Sequence, residues 1–240
     1  MRKRASKKRP KADAPAKRLP RSERDDRLLD RLEGIFLSEG FRALGVGDLA
    51  ARLRCSRRTL YELAPSKQEL FLLVLDRFLR RIRALGRVRA AAEVDLGRRV
   101  EALLEPGITE TRNASETFSA DIQSSAPARR LMDDHQRERM RLLREIVEEG
   151  SRSGVFRGLH PTLVAEVMIA AVGRVRQPDF LLDAGLSMSE AFAECSRLLR
   201  HGLLHGERAT RKRAAPKAPT RRRRGATPAH KSWTRGDRMQ

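Results

Sequence analysis

Aromatic side chains make up only 4% of this 240-residue chain, and its two cysteines, Cys55 and Cys195, lie far apart in sequence. Two such thiols give no disulfide framework. No apolar run approaches the roughly 20 residues that a bilayer crossing needs; the run from Phe71 to Leu75 stops at Asp76. The basic N-terminus is followed by no apolar stretch, so no secretory signal is expected, and the Asn113-Ala114-Ser115 sequon is read as chance. Alternating β-branched or aromatic runs are missing, which removes the strand signal. A phosphate-cradling glycine loop, a metal-ligand cluster and a nucleophile with its base are missing too. Neither enzyme activity nor a cofactor or metal is therefore expected. His201 and His205 stand four apart on one helix without a third ligand nearby, and are read as surface or helix-end histidines. These absences leave an all-α protein expected in the cytoplasm, associated with the nucleoid and not with a membrane.

What is abundant is positive charge, +21 overall, and its placement decides its meaning. Residues 1–21 carry +9 and residues 207–240 carry +10, leaving +2 for residues 22–206. Both ends mix Lys and Arg with Pro and Ala, the composition of a solvated, disordered chain. The organisation read from this is a basic tail over 1–21, a nearly neutral part over 22–206 and a second basic tail over 207–240. Tails of this kind imply sequence-independent phosphate contacts, with log K falling by about 0.9 per phosphate neutralised as log salt rises. Between residues 22 and 206 every base is Arg except Lys67.

Ser22, with Asp25 three residues on, opens a helix whose buried stripe is Leu28, Leu29, Leu32, Ile35 and Phe36. A short helix near 47–53 buries Leu49, Ala50 and Leu53. Ser56 caps a third helix near 57–63, with Leu60, Leu63 and Ala64 inward and Arg57, Arg58 and Tyr61 outward. Pro65 breaks it, and Ser66-Lys67-Gln68-Glu69 is a capping box for a long helix to about Leu85. Two short helices around a tight turn, the second rich in guanidinium and hydroxyl groups, form a helix-turn-helix able to read a major groove. Arg57 or Arg58 suits bidentate contact with guanine, and the Thr59 and Tyr61 hydroxyls suit phosphate oxygens. Lys67 would place an ammonium beside the free N–H groups of a helix start, where one phosphate can accept from both. Arg58 can instead pair with Glu62 on the surface.

Residues 28 to 78 resemble the TetR/AcrR family of bacterial transcriptional regulators. The resemblance is carried by Ser38-Glu39-Gly40-Phe41, Val46-Gly47-Asp48-Leu49-Ala50, Thr59-Leu60-Tyr61 and Ser66-Lys67-Gln68-Glu69-Leu70-Phe71. It implies operator contacts from Ser56, Arg57, Arg58, Thr59, Tyr61 and Lys67. It also implies an all-α fold with a DNA-binding domain over 22–85 and a helical ligand-binding and dimerisation domain over 86–206, which dimerises through the last two long helices and holds a small-molecule pocket. Three positions depart from the family pattern. Leu44-Gly45 replaces a Thr-Ser, Arg54 stands at a turn position usually held by Gly, and Ala64 replaces a Phe. If position 54 needs a positive φ, Arg there is strained by about 1 kcal/mol.

Beyond Gly86 and an Ala-rich stretch, helices are predicted near 91–104, 115–124, 127–150, 161–176 and 187–205. Val164, Val167, Met168 and Ala171 line one late helix; Phe192, Cys195 and Leu199 line the other. Such stripes either pair with a second copy in a four-helix interface or pack within one subunit. Phe118, Ile122, Met132 and Met140 are the candidate effector-pocket residues, with plain core packing as the alternative. The expected function is sequence-specific regulation of transcription by a homodimer on a palindromic operator, as a ligand-responsive repressor. The alternative is a general nucleoid- or RNA-binding protein driven by its tails.

Overall fold

A computed structural model of the chain describes residues 23–203. Both basic ends, the Ser22 cap and His205 lie outside the described residues. Among the described residues there are ten helices, one more than the periodicity predicts, and no strand. None of these helices is long and apolar enough to cross a membrane.

The first four helices are α1 (Glu23–Glu39), α2 (Val46–Leu53), α3 (Arg57–Leu63) and α4 (Lys67–Ala92). They share a core built from Leu29, Leu32, Phe36, Leu49, Leu60, Phe71, Leu75 and Ile82. Phe118 and Ile122 of α6 (Glu116–Ser124) and Met132 of α7 (Ala126–Arg152) belong to the same core. The scarce aromatic residues are concentrated here. Phe41 stacks on Phe71 with ring centroids 4.1 Å apart, Phe71 meets Phe118 edge-on at 6.2 Å, and Phe78 meets Phe118 at 6.4 Å. Edge-on and offset pairs of this kind add about 0.5–1.5 kcal/mol beyond area burial. The four N-terminal helices are thereby packed, through α1 and α4, against α6 and α7.

The second core joins α5 (Leu96–Thr109), α7, α8 (Pro161–Val175) and α10 (Met188–Leu203) through Val100, Leu103, Leu143, Val147, Met168 and Cys195. A small third cluster around Leu181, Met188 and Ala191 seats α9 (Pro178–Ala184). The short α9 escapes the sequence reading because seven residues show too little periodicity.

α4 does not stop near Leu85. It runs through Gly86 to Ala92, so Gly86 marks a helix crossing, not a chain break. A Cβ at Gly86 would stand 2.8 Å from the Leu103 carbonyl oxygen of α5. α5 accordingly begins at Leu96, capped by Asp95, whose carboxylate accepts from the Arg98 N–H at 2.8 Å. The capping boxes at Ser66/Glu69 and Ser187/Glu190 form as their sequences suggest. Ser66 Oγ accepts from the Glu69 N–H at 3.1 Å, and Glu190 accepts from the Ser187 N–H at 2.8 Å.

Candidate nucleic-acid interface

The turn between α2 and α3 is built by three residues. Arg54 takes a left-handed conformation, φ 54° and ψ 48°, the one non-glycine positive φ among the described residues. Cys55 follows, half-buried against the first core, and burial pushes its thiol upward from the ordinary range. A thiol held protonated is a poor redox sensor and a good filler. Ser56 then caps α3: its Oγ accepts from the Thr59 N–H at 3.0 Å and lies 2.9 Å from Thr59 Oγ1. Ser56 and Thr59 therefore hold the helix start, each hydroxyl occupied by the other. The carbonyl end of α2 is secured from α1, where Arg31 donates to the Leu53 and Arg52 carbonyls, each at 2.8 Å.

α3 is anchored by Leu60, 1% exposed, and ended by extended Ala64 before Pro65. Its other side is open. Arg57 and Arg58 are exposed and Tyr61 is half exposed. Arg58 donates to Glu62 at 3.0 Å, one turn along, which partly neutralises it. Arg57 has no hydrogen bond or ion pair among the described residues. Its guanidinium reaches back across the start of α2, where a Cβ at Gly47 would stand 2.7 Å from Nη2. Arg57 thus presents unsatisfied donors beside the first turn of α2, whose N-cap Gly45 has its own N–H taken by Asp48 at 2.9 Å.

Lys67 departs from its expected role. Its ammonium does not stand beside the α4 N–H groups waiting for a phosphate. It turns back to the α1–α2 loop and donates to three carbonyls, those of Phe41 and Arg42 at 3.1 Å and Leu44 at 2.9 Å. It also lies 5.4 Å from the Phe41 ring centroid. An ammonium has three protons, and all three are used. The physical reason is that the loop leaves its carbonyls unpaired beside the start of α4, and a single cation satisfies them together.

The other edge of that loop is held by a residue that sequence reasoning passed over. Asp121 of α6, 2% exposed, accepts from the Phe41 N–H at 2.5 Å and the Arg42 N–H at 3.3 Å. Gly40, with φ +76°, makes room for it: a Cβ there would stand 2.6 Å from Asp121 Oδ2 and from Thr117 Cγ2. No local pattern reveals an acid that will meet a loop 80 residues away.

Three of the four candidate effector residues come together, and the fourth lies apart. Phe118, Ile122 and Met132 are packed in the first core and Met140 in the second. All four are buried. Of the candidate dimer residues, Val164, Met168 and Cys195 are buried within the subunit where α8 meets α10. Ala171, Phe192 and Leu199 are partly buried there, and Val167 is 56% exposed. Leu163 and Leu198, at 62% and 73% exposure, stand on the outer side of the same pair. Between α8 and α10 lies an almost wholly apolar hollow of about 340 Å³.

Residues 28–74 match the family model of bacterial regulatory proteins, tetR family. This N-terminal stretch is similar to the DNA-binding domain of that family. The chain is 34% identical over 88 residues to the HTH-type transcriptional activator FasR of Mycolicibacterium smegmatis, an alignment spanning 37% of this chain and 40% of that relative. Solved structures extend the likeness along the fold. A transcriptional regulator from Saccharomonospora viridis in complex with choline matches with a TM-score of 0.62 at 18% identity, over 78% of this chain and 100% of that one. The fatty acid degradation regulator FadR from Bacillus halodurans matches with a TM-score of 0.60 at 16% identity, over 78% and 100%. A TetR/AcrR-family regulator from Thermobifida fusca gives 0.57 at 19%, over 75% and 98%. At these identities the structural likeness shows the fold alone.

Proposed function

We propose that this chain is a transcriptional regulator of the TetR/AcrR family that binds double-stranded DNA in a sequence-specific manner. It does so as a homodimer on a palindromic operator and acts as a repressor released by a small-molecule effector. The observation that carries the reading is the open side of α3, where Arg57 keeps unpaired guanidinium donors and Tyr61 is half exposed beside it. Guanidinium placed in a major groove suits the O6 and N7 of guanine, at about 1–3 kcal/mol of discrimination per bidentate pair. Ser56 and Thr59 serve mainly by fixing the helix start. Arg58, tied to Glu62, contributes less than Arg57, and Lys67 contributes through the loop.

A second copy completes the site. One seven-residue helix reads only a few base pairs, and two such helices about 34–36 Å apart read both halves of a palindrome. The outer side of α8 and α10, with Leu163, Val167 and Leu198 exposed around the apolar hollow, supports that pairing. Repression needs only occupancy of the operator and no further contact with polymerase. The basic ends, +9 and +10, add salt-dependent contacts that carry no sequence information.

Selection of bound DNA from a random pool, with the full chain and with residues 1–21 and 207–240 removed, tests this reading. A regulator returns the same palindromic motif from both, with a shallower salt slope after truncation. A motif that vanishes with the tails supports the general nucleoid- or RNA-binding alternative instead. Loss of transcription from a motif-bearing reporter when the chain is supplied, and its return on Arg57→Ala, checks the sign.

A further inference from the structure

α7 buries a positive charge that the DNA-binding reading does not use. Arg139 is 8% exposed, and its guanidinium lies against Gly107 of α5, where a Cβ would stand 3.0 Å from Nη2 and 3.1 Å from Nη1. Its hydrogen bonds are two long ones from Nη2, to the Leu103 carbonyl at 3.4 Å and the Leu104 carbonyl at 3.3 Å. Among the described residues no carboxylate comes within ion-pair distance of it. Burial alone pulls it down to about 10. A charge removed from water with such thin compensation costs several kcal/mol unless an opposite charge joins it.

The surroundings add positive charge. Arg83 of α4 faces the same space, its Nη1 3.3 Å from His135 Nδ1 and its Nε 3.1 Å from Glu138. Arg176, 8% exposed, spends Nη2 on Asp133 at 2.7 Å and leaves Nε and Nη1 buried without a partner. The buried His135 imidazole stays neutral, pushed down first by burial and then by the charges of Arg139, Arg83 and Arg176. Asp133 and Glu138 balance two of these three guanidiniums, and among the described residues no carboxylate balances Arg139.

Arg139 borders a cavity of about 80 Å³ between α4, α5 and α7. Ile82, Gly86 and Leu103 form its buried base with Arg139, while exposed Arg87, Arg141, Glu138 and Glu145 stand at its rim. A cavity needs roughly 10–15 Å³ on this measure to admit one water, so several atoms fit here. We infer that the crevice between α4, α5 and α7 is an oxyanion site, in which a carboxylate or phosphate group pairs with Arg139 and is flanked by Arg83. A planar fork of donors suits both groups. The oxyanion arrives either as a free ion or as the charged end of a larger molecule projecting through the rim. As the identity of an effector, the inference rests on the regulator reading; as a binding site it does not.

Calorimetric titration of the full-length protein, without DNA and at constant ionic strength, tests it. The probes are inorganic phosphate, acetate, hexanoate and, as an uncharged control, hexanol. We expect saturable uptake of phosphate or a carboxylate and none of hexanol. Hexanoate binding more tightly than acetate identifies the end of a larger molecule; equal binding identifies a free ion. Arg139→Met fills the space with an apolar chain of similar length, so the fold is expected to persist, checked by its melting temperature. It should weaken binding at least about tenfold, a loss of about 1.4 kcal/mol. Arg83→Gln, at a less buried position, should weaken it several-fold. Absence of saturable uptake, or uptake that survives Arg139→Met and so belongs to surface arginines or the basic ends, overturns the site. Failure to select a DNA motif would leave this result unchanged, so the two readings fail separately.

Discussion

Lys67 and Asp121 hold opposite edges of one loop: the ammonium takes the carbonyls of Phe41, Arg42 and Leu44, and the carboxylate takes the N–H groups of Phe41 and Arg42. Lys67 opens α4 and Asp121 sits on α6, so the entry to α2 is fixed by the two elements that connect it to the rest of the protein. Hydrogen bonds to charged groups contribute about 1.5–3 kcal/mol each, and unpaired buried partners cost a similar amount. Lys67→Met and Asp121→Asn are each expected to lower stability by about 2 kcal/mol. Both should weaken DNA binding while leaving the preferred bases unchanged. Urea unfolding and DNA titration check this. If Lys67→Met keeps full stability and only reduces the salt slope by about one, the lysine is a phosphate contact after all.

Arg54 supplies a second test. A left-handed conformation costs a side-chain-bearing residue about 1–2 kcal/mol, and glycine avoids most of it. Arg54→Gly is expected to stabilise the protein by about 1 kcal/mol, raising the melting temperature by about 2–4 °C. Among the described residues the exposed guanidinium has no hydrogen bond or ion pair to lose. An unchanged or lower melting temperature would mean that the turn carries no such strain.

At Gly86 two effects compete. Alanine is favoured over glycine in a helix interior by about 1 kcal/mol. Its Cβ would stand 2.8 Å from a backbone oxygen of α5, which cannot swing aside, and overpacking of this kind costs about 1–3 kcal/mol. Gly86→Ala is therefore expected to destabilise by about 1 kcal/mol despite the better helix former. A stabilised variant would show that the α4–α5 crossing yields easily.

His135 gives the stability a pH dependence. Folding holds its imidazole neutral well below the usual 6.5, through burial first and then Arg139 and Arg83, with the Leu79 carbonyl acting in opposition. The unfolded chain takes up this proton near pH 6.5 and the folded chain does not. The full stability is present above about pH 6.5 and falls below it by up to about 1.4 kcal/mol per pH unit. Unfolding midpoints measured from pH 7 to pH 5 should fall for the natural chain and stay flatter for His135→Leu. Identical profiles would remove His135 from the account of acid sensitivity.

Much of the fold was legible in the sequence because its signals are local. The Leu60 anchor, the Ser56 and Ser66 caps and the Pro65 stop each act within one turn of helix, and α3 falls on its expected residues. Long-range partners were not legible. Asp121 looks like any polar helix residue until α6 packs under the α1–α2 loop. Lys67 stands out in the sequence by its chemistry, but its direction depends on three carbonyls that only the folded loop presents. Gly86 reads as a helix end when judged by propensity, and becomes a close crossing once α5 lies against it. The apolar spacing of Phe118, Ile122 and Met132 serves the aromatic core equally well, so composition alone could not separate core from pocket.

The most direct measurement is a comparison of the DNA sequences selected from a random pool by the natural chain and by Arg57→Ala, both with the basic ends intact. A palindromic motif is expected from the natural chain. The variant should lose preference at one position in each half-site, about 1–3 kcal/mol, while the rest of the motif persists. An identical motif from both proteins, or no motif from either, would contradict base reading by the open side of α3.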